Sequence, residues 1–248
     1  KGASVVRFGD GEMDLIAGRS IPYQDFDPEL SARLREMMSM KTDEHMMICL
    51  PDVFTGLERY SIDAQNFWKA HLQHHLADYL EICRSTWYGS TFISRPYIDL
   101  EDKTPSAGYF AKLKKLWQDK DLLIVEGLTS RSGVGNDLFD GARSIKRIIC
   151  PSRNAYSKLE VIKQAVREHV DNRLILTMLG PTAKVLVYDL VQEGYRALDI
   201  GHIDSEYEWF QMGASHKVKL SHKHTAEYNF DQDIEFRDDQ AYDSQIVA

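Results

Sequence analysis

Val5-Val6-Arg7-Phe8-Gly9-Asp10-Gly11-Glu12 carries an apolar β-type run into two carboxylates separated only by glycine, and a helical segment follows at residues 12–17. A strand that empties directly into a helix is the opening unit of an α/β protein. In extended chain, residues two apart point the same way, so Asp10 and Glu12 can present oxygens on one face, and Gly9 and Gly11 let a bulky anion come close to the backbone. Hard cations such as Mg²⁺ or Mn²⁺ take one or two protein carboxylates and complete their shell with phosphate oxygens and water. A plainer role stands beside this one. Asp10 can serve as the N-cap of the following helix, with Glu12 complementing the dipole of its first turn.

The strand-then-helix pattern repeats. β-rich runs lie at residues 4–8, 46–50, 91–94, 122–126, 145–150, 174–179 and 197–200, most of them nearly continuous in apolar residues, as in strands buried on both faces. Amphipathic helical segments fall between them, at residues 67–83, 109–118 and 157–170. The expected fold is α/β, a Rossmann-like, mainly parallel sheet with flanking helices and with functional loops at the carboxyl ends of the strands. Residues 1–230 are expected to form a single α/β domain. Residues 231–248 are acidic and poorly periodic, and are expected to be a tail or a loose partner contact.

The chain has 248 residues, 43% of them hydrophobic, with 30 basic against 38 acidic residues for a formal charge of −8. That charge gives no footprint for nucleic acid or for an anionic membrane. No apolar run approaches the roughly 20 residues needed to cross a bilayer. Cys49, Cys83 and Cys150 are isolated thiols, as in the core of a cytoplasmic protein. The chain opens at Lys1 and enters a strand almost at once, so residues ahead of it are expected in the natural protein.

The strand ends carry the chemistry. After residues 122–126 comes Gly127-Leu128-Thr129-Ser130-Arg131-Ser132-Gly133-Val134-Gly135-Asn136-Asp137, which lacks both the Lys-Ser/Thr ending of a P-loop and a complete GxGxxG, yet has amides that can bind phosphate. Leu179-Gly180-Pro181-Thr182-Ala183 sits between a strand and a helix, with Pro181 near the first helical position. The run from Leu198 to Phe210 holds Asp199, His202, Asp204, Glu206 and Glu208. His202 suits a metal ligand, a phosphate donor or a proton shuttle, or else a hydrogen-bonded turn histidine. Asp204 can cap a helix, and Glu206 and Glu208 can form its solvated first turn. His71, His74 and His75 have helical spacing but no completed zinc set, and are expected on a helix surface beside Trp68, Leu72, Leu76 and Tyr79. The basic strip at residues 216–224 can contact phosphate or an acceptor, and is expected rather as a solvated strand edge.

Five of these stretches, in order, resemble the bacterial GT-D fold glycosyltransferases, first catalogued as a domain of unknown function. They are residues 6–12, Ser130-Arg131-Ser132-Gly133-Val134-Gly135-Asn136-Asp137-Leu138-Phe139, Ile148-Ile149-Cys150-Pro151-Ser152-Arg153-Asn154-Ala155, residues 179–183 and residues 199–210. The family pattern ahead of the first strand is missing. The resemblance implies transfer of a hexose, with glucose the expected one, from a UDP-sugar to a hydroxyl of a growing glycan, such as that on a bacterial surface glycoprotein or polysaccharide. It also implies that Asp10-Gly11-Glu12 is a metal-associated DxE motif for Mn²⁺ or Mg²⁺. From chemistry and position His202 joins that ion. Arg7, Gly9, Ser130, Arg131, Asn136, Gly180, Pro181 and Thr182 are the expected nucleotide contacts, and Asp204, Glu206 and Glu208 are candidates for a catalytic base. The residues also suit a metal-dependent nucleotide-diphosphate hydrolase or a non-catalytic nucleotide-sugar-binding subunit, and a homo-oligomer stays open.

Overall fold

A computed structural model of the protein describes residues 2–228, 232–236 and 238–248. Seven strands among them, β1 (Ser4–Arg7), β2 (Met46–Leu50), β3 (Gly89–Ser90), β4 (Asp121–Gly127), β5 (Ser144–Cys150), β6 (Leu174–Met178) and β7 (Ala197–Asp199), form one sheet in the order β3-β2-β1-β7-β6-β4-β5. Every pairing is parallel. The helices are α1 (Asp10–Ile16), α2 (Pro28–Ser39), α3 (Ile62–Ile82), α4 (Ser106–Lys114), α5 (Leu159–His169), α6 (Gly180–Gln192), α7 (Ile203–Met212) and the short α8 (Gln240–Asp243). The expected α/β architecture is the observed one.

Alternate residues of each central strand feed two cores. In β4, Leu123 and Val125 pack with α1, α2, α5 and α6, whereas Leu122 and Ile124 pack with α4 and α7. This two-faced burial is why the middle of β4, Leu122–Val125, is continuously apolar. It also places the site. The chain leaving β1 passes to one face of the sheet and the chain leaving β7, its neighbour, passes to the other, so a crevice opens between their carboxyl ends.

Local chemistry moved several boundaries. The helix expected at residues 12–17 begins instead at Asp10, with Gly9 at the N-cap; Asp10 is therefore the first helical residue and no cap. Residues 91–94, expected as a strand, form a 3₁₀ turn after the two-residue β3. Ser90 Oγ accepts the Phe92 amide at 3.1 Å and draws the chain out of the ladder. On α3, Trp68 and Tyr79 are buried and His74 is exposed as expected, but His75 is buried and Leu76 exposed, the reverse of expectation for that pair. The imidazole of His75 lies between Asp14 (3.4 Å) and Asp78 (3.1 Å).

The end of the chain is docked. Arg147 N donates to Gln245 O, Val247 N to Arg147 O and Ile149 N to Ala248 O, so residues 245–248 run beside β5, and Tyr242 is buried. Among the described residues no helix is long and apolar enough to cross a membrane.

Candidate active site

A ladder of alternating charge ties the strand ends together. The Glu12 carboxylate, buried in the first turn of α1, accepts the Gly9 amide at 2.7 Å through Oε2 and the Lys184 ammonium at 2.9 Å through Oε1. Lys184, one turn into α6, also reaches Gly180 O at 3.1 Å and Asp199 Oδ2 at 3.2 Å. Asp199 ends β7. Its carboxylate accepts Arg7 N at 3.1 Å, Arg7 Nη2 at 3.2 Å and Gly201 N at 3.1 Å. Arg7 then donates to Asp199 O at 2.9 Å and to Thr91 O at 3.2 Å. Burial alone would raise the Asp199 carboxyl, but Arg7 and Lys184 hold it below the usual carboxylate range. Each buried charge in the ladder is stable only because its neighbours are present. Gly201 is required beside it: its φ is +46°, and a Cβ there would lie 1.7 Å from Arg7 Nη2.

Above this ladder lies a cleft of about 370 Å³, bordered by the ends of β1, β3, β4, β6 and β7. Asp10 lines it, with surface left open to the cleft but the carboxyl set among protein atoms. Withdrawal from bulk water, and then the neighbouring Glu12, raise its carboxyl above the usual range. Across the cleft the thirteen-residue α6 presents its first turn, Gly180, Pro181 and Thr182. The free amides of a helix start attract anions. The Thr182 hydroxyl, on a residue that lines the cleft, is buried with no hydrogen-bond partner. His202, just after β7, also lines the cleft, its ring stacked on that of His224 at 5.6 Å. Burial, and then His224, push its pKa down to about 3, leaving a neutral imidazole at working pH.

A family model described as "Glycosyltransferase GT-D fold" matches residues 5–228. The chain belongs to the GT-D fold glycosyltransferase family. It is 93% identical over its whole length to "Probable glycosyl transferase Gly" of Streptococcus gordonii, and 60% identical over 99% of its length to "Glycosyltransferase GlyD" of Streptococcus pneumoniae serotype 4. It spans 36% and 30% of those two proteins. A solved structure described as "A New Glycosyltransferase (DUF1792) from Streptococcus sanguinis" superposes with a TM-score of 0.98 at 90% identity, covering 99% of this chain and 92% of that one. Another, described as showing that the domain of unknown function 1792 "has a distinct glycosyltransferase fold", gives 0.97 at 59% identity, with 99% and 88% covered.

Within this GT-D cleft the residues expected from sequence divide sharply. Arg7, Gly9, Asp10, Glu12, Ser130, Gly180, Pro181, Thr182, His202 and Asp204 line it. Arg131 and Asn136, expected on the nucleotide, do not. Arg131 lies over the Tyr242 ring at 4.5 Å, and Asn136 Nδ2 donates to Asp204 at 2.9 Å and Glu208 at 3.3 Å. The three candidate bases are bound otherwise than expected. Asp204 accepts the Gly133 amide at 2.7 Å and Lys223 at 2.7 Å, and Glu208 accepts Lys223 at 2.5 Å. Glu206 points away beneath Arg95 (3.3 Å) and the Ile98 amide (3.1 Å), where burial pushes its carboxyl up to about 7. Glu206 and Glu208 stand outside the cleft lining, and the oxygens of Asp204 are occupied by protein donors.

The basic strip is a solvated edge only in part. Lys223 is fully buried and His224 N donates to Thr129 O at 2.8 Å; although His216, Lys219 and Ser221 stay exposed, His224 at the end of the strip and Glu227 just beyond it line the cleft. Sequence reasoning passed over Lys184, Arg95 and Glu227, and named Asp199 and His224 only as members of longer runs. Lys184 had a usable signal, its place one turn beyond the Gly-Pro-Thr helix start. Arg95 had none, because its segment reads as strand.

Among the described residues no three His, Cys, Asp or Glu side chains converge as a ready metal cage. The donor set nevertheless fits Mg²⁺ or Mn²⁺ arriving with a diphosphate, since such ions need only one or two carboxylates. Among the described residues Asp10 is the carboxylate that accepts no hydrogen bond from another residue. Glu12 is already held by Gly9 and Lys184, and His202 offers a neutral nitrogen.

Proposed function

We propose that this chain transfers a hexose, glucose the expected one, from a UDP-sugar to a hydroxyl of a growing glycan on a bacterial surface glycoprotein or polysaccharide. The observation that carries the proposal, within the family membership, is the meeting in one cleft of a helix start with an unpartnered Thr182 hydroxyl and the Asp10 carboxylate. In this reading the α6 amides and Thr182 bind and orient the donor diphosphate. Arg7, Lys184 and Asp199 keep the strand ends in register beneath it. Asp10, with His202 nearby, would hold a divalent ion, which when bound neutralises charge on the departing diphosphate. The glycine at position 9 lets the donor approach the β1 backbone.

The test is thermal denaturation with UDP in excess EDTA and in Mn²⁺, followed by product analysis with UDP-glucose and a glycan acceptor. Ligand bound only to the native state raises the melting temperature with its affinity. A shift by UDP that grows with Mn²⁺ and is blunted in Asp10→Asn, together with a glycosylated acceptor, is expected. Equal shifts in EDTA and Mn²⁺ sink the metal bridge, and free glucose as the sole product, with acceptor present, sinks transfer in favour of hydrolysis.

A further inference from the structure

We infer that Tyr242, on the carboxyl-terminal α8, is a positioning residue for the donor-facing loop after β4, and that the docked segment 239–248 sets the shape of the nucleotide site. The inference rests on the UDP-sugar reading above and names a part of the chain outside the cleft. Glu126, near the end of β4, is fully buried. Its Oε2 accepts the Ser132 amide at 2.8 Å, which fixes the loop from below, while Oε1 accepts Arg147 Nη1 at 2.6 Å and the Tyr242 hydroxyl at 3.1 Å. The Tyr242 ring lies under two guanidinium groups, those of Arg131 and Arg147, each 4.5 Å from its centroid.

Arg131 belongs to the loop and stands at φ +43°, a left-handed conformation that a residue with a side chain keeps only when its surroundings hold it. Its immediate neighbours Ser130 and Ser132 line the cleft. Tyr242 thus grips the loop twice, through Glu126 to the Ser132 amide and through its ring to Arg131. The segment is itself anchored, since Gln245 accepts Arg147 Nε at 2.7 Å and residues 245–248 pair with β5. A stacked cation on a desolvated ring and a hydrogen bond to a buried carboxylate are each large enough to hold a loop, and neither touches the donor.

The experiment uses the whole chain with Tyr242→Leu and Tyr242→Phe. Amide exchange is followed across residues 129–136, and UDP affinity is measured by calorimetry in Mn²⁺, with donor KM and kcat taken separately. Tyr242→Leu is expected to speed exchange in that loop and to weaken UDP binding about tenfold, the scale of one lost polar or stacking contact. Donor KM should rise while kcat stays close to its original value, and Tyr242→Phe, which keeps the ring, should recover most of the affinity. If Tyr242→Leu does not fold, Tyr242→Phe decides: faster exchange of the Ser132 amide is expected, with a loss of UDP affinity smaller than tenfold, and unchanged exchange overturns the inference. Unchanged loop exchange, or looser exchange with unchanged UDP affinity, overturns the inference. A wild-type chain that binds no UDP overturns the donor reading instead, and the exchange measurement still judges the positioning.

Discussion

Replacing Lys223 by methionine removes one ammonium from a fully buried position where it joins Asp204 (2.7 Å), Glu208 (2.5 Å) and the Val134 carbonyl (2.8 Å). Methionine fills similar space, so the loss is electrostatic rather than a cavity. Two carboxylates that are themselves buried are left facing each other without their cation, with Gly133 N, Asn136 and His222 as remaining donors among the described residues. Breaking a buried pair by removing one partner costs about 3–5 kcal/mol. Native stabilities are only about 5–15 kcal/mol, so this is a large fraction of the total. With a typical unfolding entropy per residue, a chain of this length should lose about 6–10 °C in melting temperature. Urea denaturation and calorimetry measure it. Because Lys223 also fastens the segment that carries His224 and Glu227, UDP affinity should fall with it. Converting the carboxylates as well, in Lys223→Met with Asp204→Asn and Glu208→Gln, should restore part of the stability. A single variant that melts within about 2 °C of the parent would refute the reasoning, because a buried cation between two carboxylates cannot be removed that cheaply.

Glu206 makes stability fall as pH rises. Its folded pKa of about 7 stands above the unfolded 4.5, so its favourable protonated state is fully present below pH 4.5 and is lost as pH climbs to about 7. Glu206→Gln should therefore gain on the parent in melting temperature across that window, and parallel curves would count against it. His202→Ala should weaken Mn²⁺-dependent UDP binding with little change in melting temperature, since the residue borders the cleft and its ring stacks on that of His224. A stable variant with unchanged UDP affinity and turnover would remove His202 from the site.

The sequence alone determined the α/β layout, because strands covered on both faces need apolar residues on both, and the runs Leu122–Val125 in β4 and Leu174–Leu176 in β6 supply them. It also determined where the cleft would lie. Strand-end glycines, the Gly180-Pro181-Thr182 helix start and the carboxylates after β1 are local features, read within a few residues of chain. What each charged group does was settled only in three dimensions. Asp204, Glu206 and Glu208 look like free acids in sequence, yet Lys223 and Arg95, from 15 or more residues away, occupy them. Residues 239–248 look like a loose acidic tail, yet Tyr242 finds a buried carboxylate on β4, 116 residues back along the chain. Pattern and propensity act over one or two turns of backbone, whereas the pairing of a buried charge depends on which distant group folding brings within about 3 Å, and no local periodicity records that.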